Sequence, residues 1–406
     1  MSERLDIPLV GRDKINRYNR QLILSLFKGN RTLARRDIVA LTGMRQGTMQ
    51  VHVESLIKEG VLVEKGLGRS KVGRRPRMLH IDPTRYMIVG GYLEPQRVQL
   101  VLADLLGNIV ARQTELPTVE SDRSHLLLAI GRGLIRLIED RCRREDILGI
   151  ALGVPGRVDT REQVLTETRL GPEWKGMELG RYIRNQFGCR FWLENDMRLG
   201  TLAEARWGVC SGVRNFLYVN IDREVQLGLM LDGAVYRGAE AMAGKLGHLC
   251  LDPDGQLCSC GNRGCVNTLA SHSALVDFYR KLVGNDRLAI TIEDIVNEAR
   301  NGQTAARYVL EQAGRWLGLA LANLANLLNP ETIVLAGQIS LAGELFLERI
   351  SAMIAERTSP PINRVRVEWS QLADQAVPLG ALALALDEFF ALPVMETPID
   401  VLAHRD

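Results

Sequence analysis

No apolar run in this chain reaches the roughly 18–20 residues needed to cross a bilayer. Its first residues, MSERLDIPLVGRDK, lack the apolar core and cleavage pattern of a signal peptide. The expected partners therefore exclude a membrane, and the expected location is cytoplasmic. Cysteine is sparse, with seven in 406 residues, too few for a disulfide scaffold in a chain this long. Aromatic residues are also few, at 5%, against 46% hydrophobic and 24% charged. That balance is ordinary for a globular protein, and the length calls for two or three domains.

Net charge is small, +3, but it is unevenly spread. Residues 1–82 carry 17 Lys and Arg against 8 Asp and Glu, which leaves 34 against 40 for the rest. A basic first fifth on an acidic body is the charge footprint of a nucleic-acid-binding head, or else of a solvated basic face.

The head has helical punctuation. Ile15, Tyr18, Leu22, Ile23 and Leu26 form one stripe of a helix over Lys14–Phe27, which Lys28-Gly29-Asn30 breaks. A second helix is predicted from Thr32, a good N-cap residue, through Leu41. After the turn Thr42-Gly43-Met44, a third spans Arg45–Gly60 with Val53, Leu56 and Ile57 inward. Two helices across a short glycine-bearing turn make a helix-turn-helix, whose second helix enters the major groove by its N-terminal end. That end offers Arg45, Gln46, Thr48, Gln50 and His52, side-chain types that read base edges or hold phosphates. Val61–Glu64 and Met78–Ile81 predict two strands of a wing, with Arg69, Arg74 and Arg75 in the basic tip between them. Gly73-Arg74-Arg75-Pro76 is extended by its proline. It suits either a narrow minor groove or simple phosphate contact.

From about residue 86 strands alternate with helices. Tyr86–Leu93 and Arg97–Leu102 read as paired strands, Ser124–Cys142 as a helix, and Ile147–Val154 as an apolar strand ending in Pro155-Gly156. Arg190–Leu193 is a further strand, and an Ala-rich helix follows Asn195. This is an α/β body. His248, Cys258, Cys260 and Cys265 stand in the pattern His-x9-Cys-x-Cys-x4-Cys. One nitrogen and three thiolates suit a tetrahedral zinc ion with no position left for water, so one structural Zn2+ per chain is expected.

Several segments together resemble the ROK family of repressors, open reading frames and kinases. They are Val154-Pro155-Gly156-Arg157-Val158-Asp159, Glu194-Asn195-Asp196, Ala243-Gly244-Lys245-Leu246-Gly247-His248, the cysteine loop from Cys258 to Cys265, and Asn326–Gly337. With its head, the whole chain is similar to the xylose- and N-acetylglucosamine-type repressors of that family. The resemblance implies a two-lobed, actin-like sugar-kinase fold behind a winged helix-turn-helix. The expected domains are a head at 1–82, a first lobe at 83–195 with 381–406, and a second lobe at 196–380. It also implies a dimer or tetramer.

The resemblance assigns the four zinc ligands. It implies that Asn195, Asp196, Lys245, His248 and Asn267 surround a small sugar-like effector. Lys245 and Asn267 stand where family kinases have glutamates. Lys245 thus points either to an anionic ligand or to an internal pair with Asp196 or a neighbour in an empty site, with ordinary glucose-type recognition as a third option. Trp174 belongs to the same cleft, to the core or to the surface.

Catalysis is not expected. Phosphate loops need bare backbone N–H groups, hence glycine. The two corresponding stretches are Tyr92–Arg97, with no glycine, and Asp222–Gly228, acidic and with one glycine at its end. Asp196 is then a vestige of the kinase base. The expected function is sequence-specific binding of an operator in double-stranded DNA, as a regulator, a repressor of carbohydrate-related genes. The rivals are a sugar kinase with an added DNA-binding head and a DNA-binding protein without a ligand.

Overall fold

The computed structural model describes residues 11–68, 75–117, 123–284 and 290–392. The head comprises α1 (Arg12–Ser25), β1 (Leu33–Ala34), α2 (Arg35–Thr42), α3 (Gln46–Lys58), β2 (Leu62–Leu67) and β3 (Arg77–Ile81). Ile23, Leu24, Phe27, Ile38, Met49, Val53, Leu56, Leu62 and Leu79 are its buried core. Gly43 closes α2 in the left-handed region at φ 68°, where glycine has no Cβ penalty.

Two expectations for the head are corrected. The second helix begins at Arg35, not Thr32, because the Asp37 carboxylate reaches back to the Ala34 N–H at 2.8 Å and caps the start there. Thr32 instead meets the Nδ1 atom of His80 at 3.1 Å. The two residues after it pair with β3, so the wing sheet has three strands in the order β1-β3-β2. Glu64 accepts from both Arg35 and Arg77. Those bonds hold its carboxyl below the usual range and tie the wing to α2.

The body begins with β4 (Met87–Glu94), β5 (Arg97–Asp104), β6 (Ile109–Glu115), α4 (Arg123–Ile138) and β7 (Ile147–Val154). The hairpin of β8 (Gly156–Asp159) and β9 (Val164–Thr168) follows, then α5 (Leu179–Phe187), β10 (Arg190–Asn195) and α6 (Asp196–Trp207). The first sheet runs β10-β7-β4-β5-β6. Its strand β7 is buried on both faces between parallel neighbours, which is why it reads as an unbroken apolar run. Helix α4 stops at Ile138, earlier than Cys142, because Asp140 turns left-handed at φ 59°. The Arg141 guanidinium then caps the Leu137 carbonyl at 3.2 Å. Trp174 is fully buried in this lobe's core.

The second lobe holds β11 (Phe216–Ile221), β12 (Val225–Leu231), β13 (Ala234–Val235), α7 (Val266–Ala270), α8 (His272–Val283), α9 (Ile292–Arg300), α10 (Thr304–Leu328), β14 (Thr332–Ala336), α11 (Glu344–Arg357) and β15 (Arg366–Trp369). Its sheet runs β13-β12-β11-β14-β15. Helix α10 is a core element: Ala313, Leu317, Ala320, Leu321 and Ala325 are all buried.

The last described helix, α12 (Ala376–Phe390), returns to the first sheet. It crosses α6 so closely that a Cβ at Gly380 would stand 1.8 Å from the Leu199 carbonyl oxygen. Only glycine permits that crossing. One apolar cluster runs without a break from Ile23 and Phe27 in the head to Leu382, Leu386 and Phe390 in α12. Gln21 adds a hydrogen bond to the Phe389 carbonyl at 2.6 Å.

Candidate functional site

Three places carry polar side chains that core packing does not explain. The first is the outer face of α3. Arg45 is its N-cap residue, and Arg45, Gln46 and Gln50 are exposed, with Thr48 partly so. Gln50 donates to Glu54 one turn on at 2.9 Å. Val51 is 66% exposed on the same helix, an apolar position absent from the sequence reading.

His52, expected on that face, is corrected. It is only 9% exposed and shares the buried side of α3 with Met49, Val53 and Leu56. Positions 49, 52, 53 and 56 form one helical stripe, so the histidine belongs to the packing of the head. Burial, then the charge of Arg20, lowers its pKa. Arg75 is exposed at the root of the wing, where Gly68 donates to the Pro76 carbonyl at 2.8 Å. Arg69 and Arg74 lie outside the described residues.

The second place is the loop from His248 to Cys265. The four candidate ligand atoms lie within 4.8 Å of one another. The His248 Nδ1 and Cys258 sulfur are 3.6 Å apart, and the Cys260 and Cys265 sulfurs 3.7 Å. A tetrahedral ion with bonds of about 2.3 Å to sulfur separates its ligand atoms by about 3.8 Å, so the donor set fits zinc. The fold of the loop explains the convergence. Gly264 has φ +58°, and a Cβ there would stand 1.7 Å from the Asp252 carbonyl oxygen. Leu251 and Cys258 bond back across the loop to Gly264 and Asn262. Cys250 is exposed and outside the cluster.

The third is the cleft where β10 passes into α6. Asn195 caps α6, its Oδ1 accepting from the Met197 and Arg198 N–H groups. Asp196 follows, only 3% exposed. Burial pushes its carboxyl up to about 6, against the opposing charge of Arg169 and a bond from the Met197 N–H. Asn195, Lys245, His248 and Asn267 line one pocket with Arg157, Arg198 and Glu224.

Of the alternatives open for Lys245, a pair with Asp196 is not found, because the cation facing Asp196 is Arg169, at 3.8 Å. Arg169 also holds Glu224 at 3.1 Å, and Tyr92 donates to Asp196 at 3.3 Å. The sequence marks Tyr92 only as the start of the first glycine-free turn, and Arg169 stands in no motif. Glu194, buried behind them, pairs with Arg198 at 2.5 Å and with Arg237. Asn267 is turned to a structural task, its Oδ1 accepting from the Val225 N–H at 2.7 Å.

The two turns that correspond to kinase phosphate loops are closed by side chains. Between β4 and β5, Glu94 accepts from Arg97 at 2.7 Å, and Asp374 accepts from both Arg97 and Gln99 at 3.1 Å. Between β11 and β12, Asp222 accepts from the Gln338 N–H and from Asn220, each at 2.9 Å.

Comparison with known proteins agrees with this geometry. Residues 95–388 match the ROK family. A xylose repressor of Caldicellulosiruptor bescii is 30% identical over 396 residues, covering 93% of this chain and 98% of its own. A crystallised ROK family transcriptional regulator, described as a homologue of the Escherichia coli Mlc protein, superposes with a TM-score of 0.78 at 26% identity. It covers 93% of this chain and 97% of its own. A ROK hexokinase of Thermus thermophilus superposes with a TM-score of 0.63, also at 26% identity. It covers 98% of its own chain but 74% of this one.

Proposed function

This chain belongs to the ROK family, and from that premise we propose that it is a sequence-specific DNA-binding transcription regulator, a repressor of carbohydrate-related genes. The observation that carries the proposal is the exposed N-terminal end of α3, with Arg45, Gln46 and Gln50 free of the core, on a head continuous with a ROK body. Arg45 and Gln46 read base edges, Thr48 and Arg75 steady the head on phosphates, and Gln50 exchanges its bond to Glu54 for a base. Arg69 and Arg74 extend the wing's contact along the backbone. Two heads on a homodimer or homotetramer meet two half-sites.

The body in this proposal is a sensor without catalysis. Phosphoryl transfer depends on positioning a nucleotide, and both turns that would do so are occupied by their own side chains. Asp196 is retained as a ligand for an effector hydroxyl. One zinc ion held by His248, Cys258, Cys260 and Cys265 pins the loop beside the cleft. It is structural, because four protein ligands fill a tetrahedron. His248 would hold the ion through Nδ1, the atom facing the Cys258 sulfur, while its ring also lines the cleft.

The experiment is selection of fragmented genomic DNA by the purified protein at about 150 mM salt, where surface charges beyond about 8 Å are screened. Discrete sites near carbohydrate genes are expected. Binding spread over all fragments and abolished by added salt would overturn the reading.

A further inference from the structure

Two residues on the outer face of α3 have no structural employment. Val51 is 66% exposed and takes no part in the apolar core of the head. Gly47 lies four residues earlier, one turn nearer the N-terminal end on the same face. It is exposed, and a Cβ added there would meet nothing within 4 Å. Neither residue serves the helix. At an exposed helical position glycine gives up backbone entropy and a β-branched valine loses rotamer freedom, so alanine would be better at both. Neither serves the core, since Met49, His52, Val53 and Leu56 form the buried side of α3.

The polar side chains around Val51 are turned to one another. Gln50 donates to Glu54 at 2.9 Å, and Ser55 donates to Glu59 at 2.6 Å. Glu59 also holds Arg20. What remains in the middle of the face is a bare valine, with open space before it where Gly47 lacks a side chain.

The charge of the head says what meets that face. Residues 1–82 carry 17 Lys and Arg against 8 Asp and Glu, and polyanionic DNA complements them. A valine side chain neither donates nor accepts, so it cannot hold a phosphate or read a base by hydrogen bonds. The apolar feature that base edges present in the major groove is the C5-methyl group of thymine. Cytosine has a hydrogen at that position, and purines offer polar atoms instead. We infer that Val51 reads the C5-methyl group of one thymine in each half-site, and that Gly47 leaves the space through which the methyl reaches it. The inference deepens the regulatory reading and rests on it for the DNA. It adds to Arg45 and Gln46 a specificity residue whose discrimination is hydrophobic.

The test removes the methyl alone. Uracil pairs with adenine as thymine does and lacks only that group. Each thymine of a selected genomic site is replaced in turn by uracil. Affinity of the full chain is read by fluorescence anisotropy at about 150 mM salt. Loss of one buried methyl contact is expected to cost about fourfold per substituted half-site, at a single thymine position. In Val51→Ala, expected to melt like wild type, the same uracil is expected to cost less than about twofold. In Arg45→Ala the uracil penalty is expected to persist, because the arginine reads another base pair.

A site at which no uracil weakens binding would overturn the inference, and this scan of the wild-type protein decides even where the variant is unstable. A uracil penalty as large in Val51→Ala as in wild type would also overturn it, by assigning the effect to the deformability of the DNA. So would a penalty that vanishes in Arg45→Ala, by assigning the methyl to the arginine. Discrete genomic sites without a uracil effect remove only this inference. Genomic selection that yields no discrete sites removes it together with the regulatory reading.

Discussion

The carboxylate of Asp387, near the end of α12, sits 2.9 Å from the ammonium of Lys28, in the turn that follows α1. The same carboxylate accepts from Arg206 at 3.3 Å. Arg206 stands in the last turn of α6, whose first residue is Asp196. One helix of twelve residues therefore joins the cleft to the seam between head and body.

That joint gives the first prediction. Exposed ion pairs contribute about 0–1 kcal/mol, so Asp387→Ala is expected to leave the global melting temperature within a few degrees of wild type. Amide hydrogen exchange is expected to quicken locally, in the last turn of α1 and the end of α12, where few other polar contacts hold head to body. Exchange unchanged in both segments would show that the apolar contacts of Phe27 and Phe390 hold the seam unaided.

Along the DNA face, Arg45→Ala is expected to cost about 1–3 kcal/mol on the selected sites and to relax the preference at one base pair. His52→Leu is expected to cost far less, because its ring is packed inward. A fluorescence anisotropy titration of both variants on matched and scrambled duplexes checks the pair. A larger loss of affinity at residue 52 than at 45, with the head still folded, would reverse the assignment.

Metal content is the third. Elemental analysis is expected to give one zinc per chain in the purified protein and none in Cys265→Ser. A strong chelator is expected to lower the melting temperature, because metal binding energy becomes folding energy when the site forms only in the fold. Zinc-free protein that melts like the untreated protein would rule out a structural ion.

Asp196 supplies a pH dependence. Burial raises its folded pKa to about 6 from an ordinary 3.8. A raised carboxyl favours the fold fully below the unfolded value, and that favour is lost as pH rises through the folded value. Asp196→Asn lacks this loss. It is expected to be more stable than wild type at pH 7 by about 1–3 kcal/mol, with the difference shrinking as pH falls from about 6 toward 4. Urea melts at several pH values read it out. A pH-independent difference would mean that the carboxyl titrates alike in both states.

Local order was legible where a residue type has one structural use. Gly43 and Gly60 close helices, Asn195 starts one, and the spacing from His248 to Cys265 brings four ligand atoms together. What the sequence hid was decided by distant chain. Tyr92 reaches Asp196 from 104 positions away, and Arg169 comes from the segment after β9 with no motif around it. His52 looked like a base-reading side chain because a polar residue at a stripe position resembles one on the opposite face until the helix is packed. Thr32 lost the helix start because Asp37 could reach the Ala34 N–H first.

The two filled turns bear on how this chain can change. At the first, Glu94, Arg97, Gln99 and Asp374 hold one another. At the second, Asp222 fastens two backbone segments and Asn267 occupies the Val225 N–H. Exchanging any one of these for glycine orphans its partners. The two turns thus act as clasps, each tying a strand end to a distant stretch of chain, so that loosening either one frees more than the turn itself.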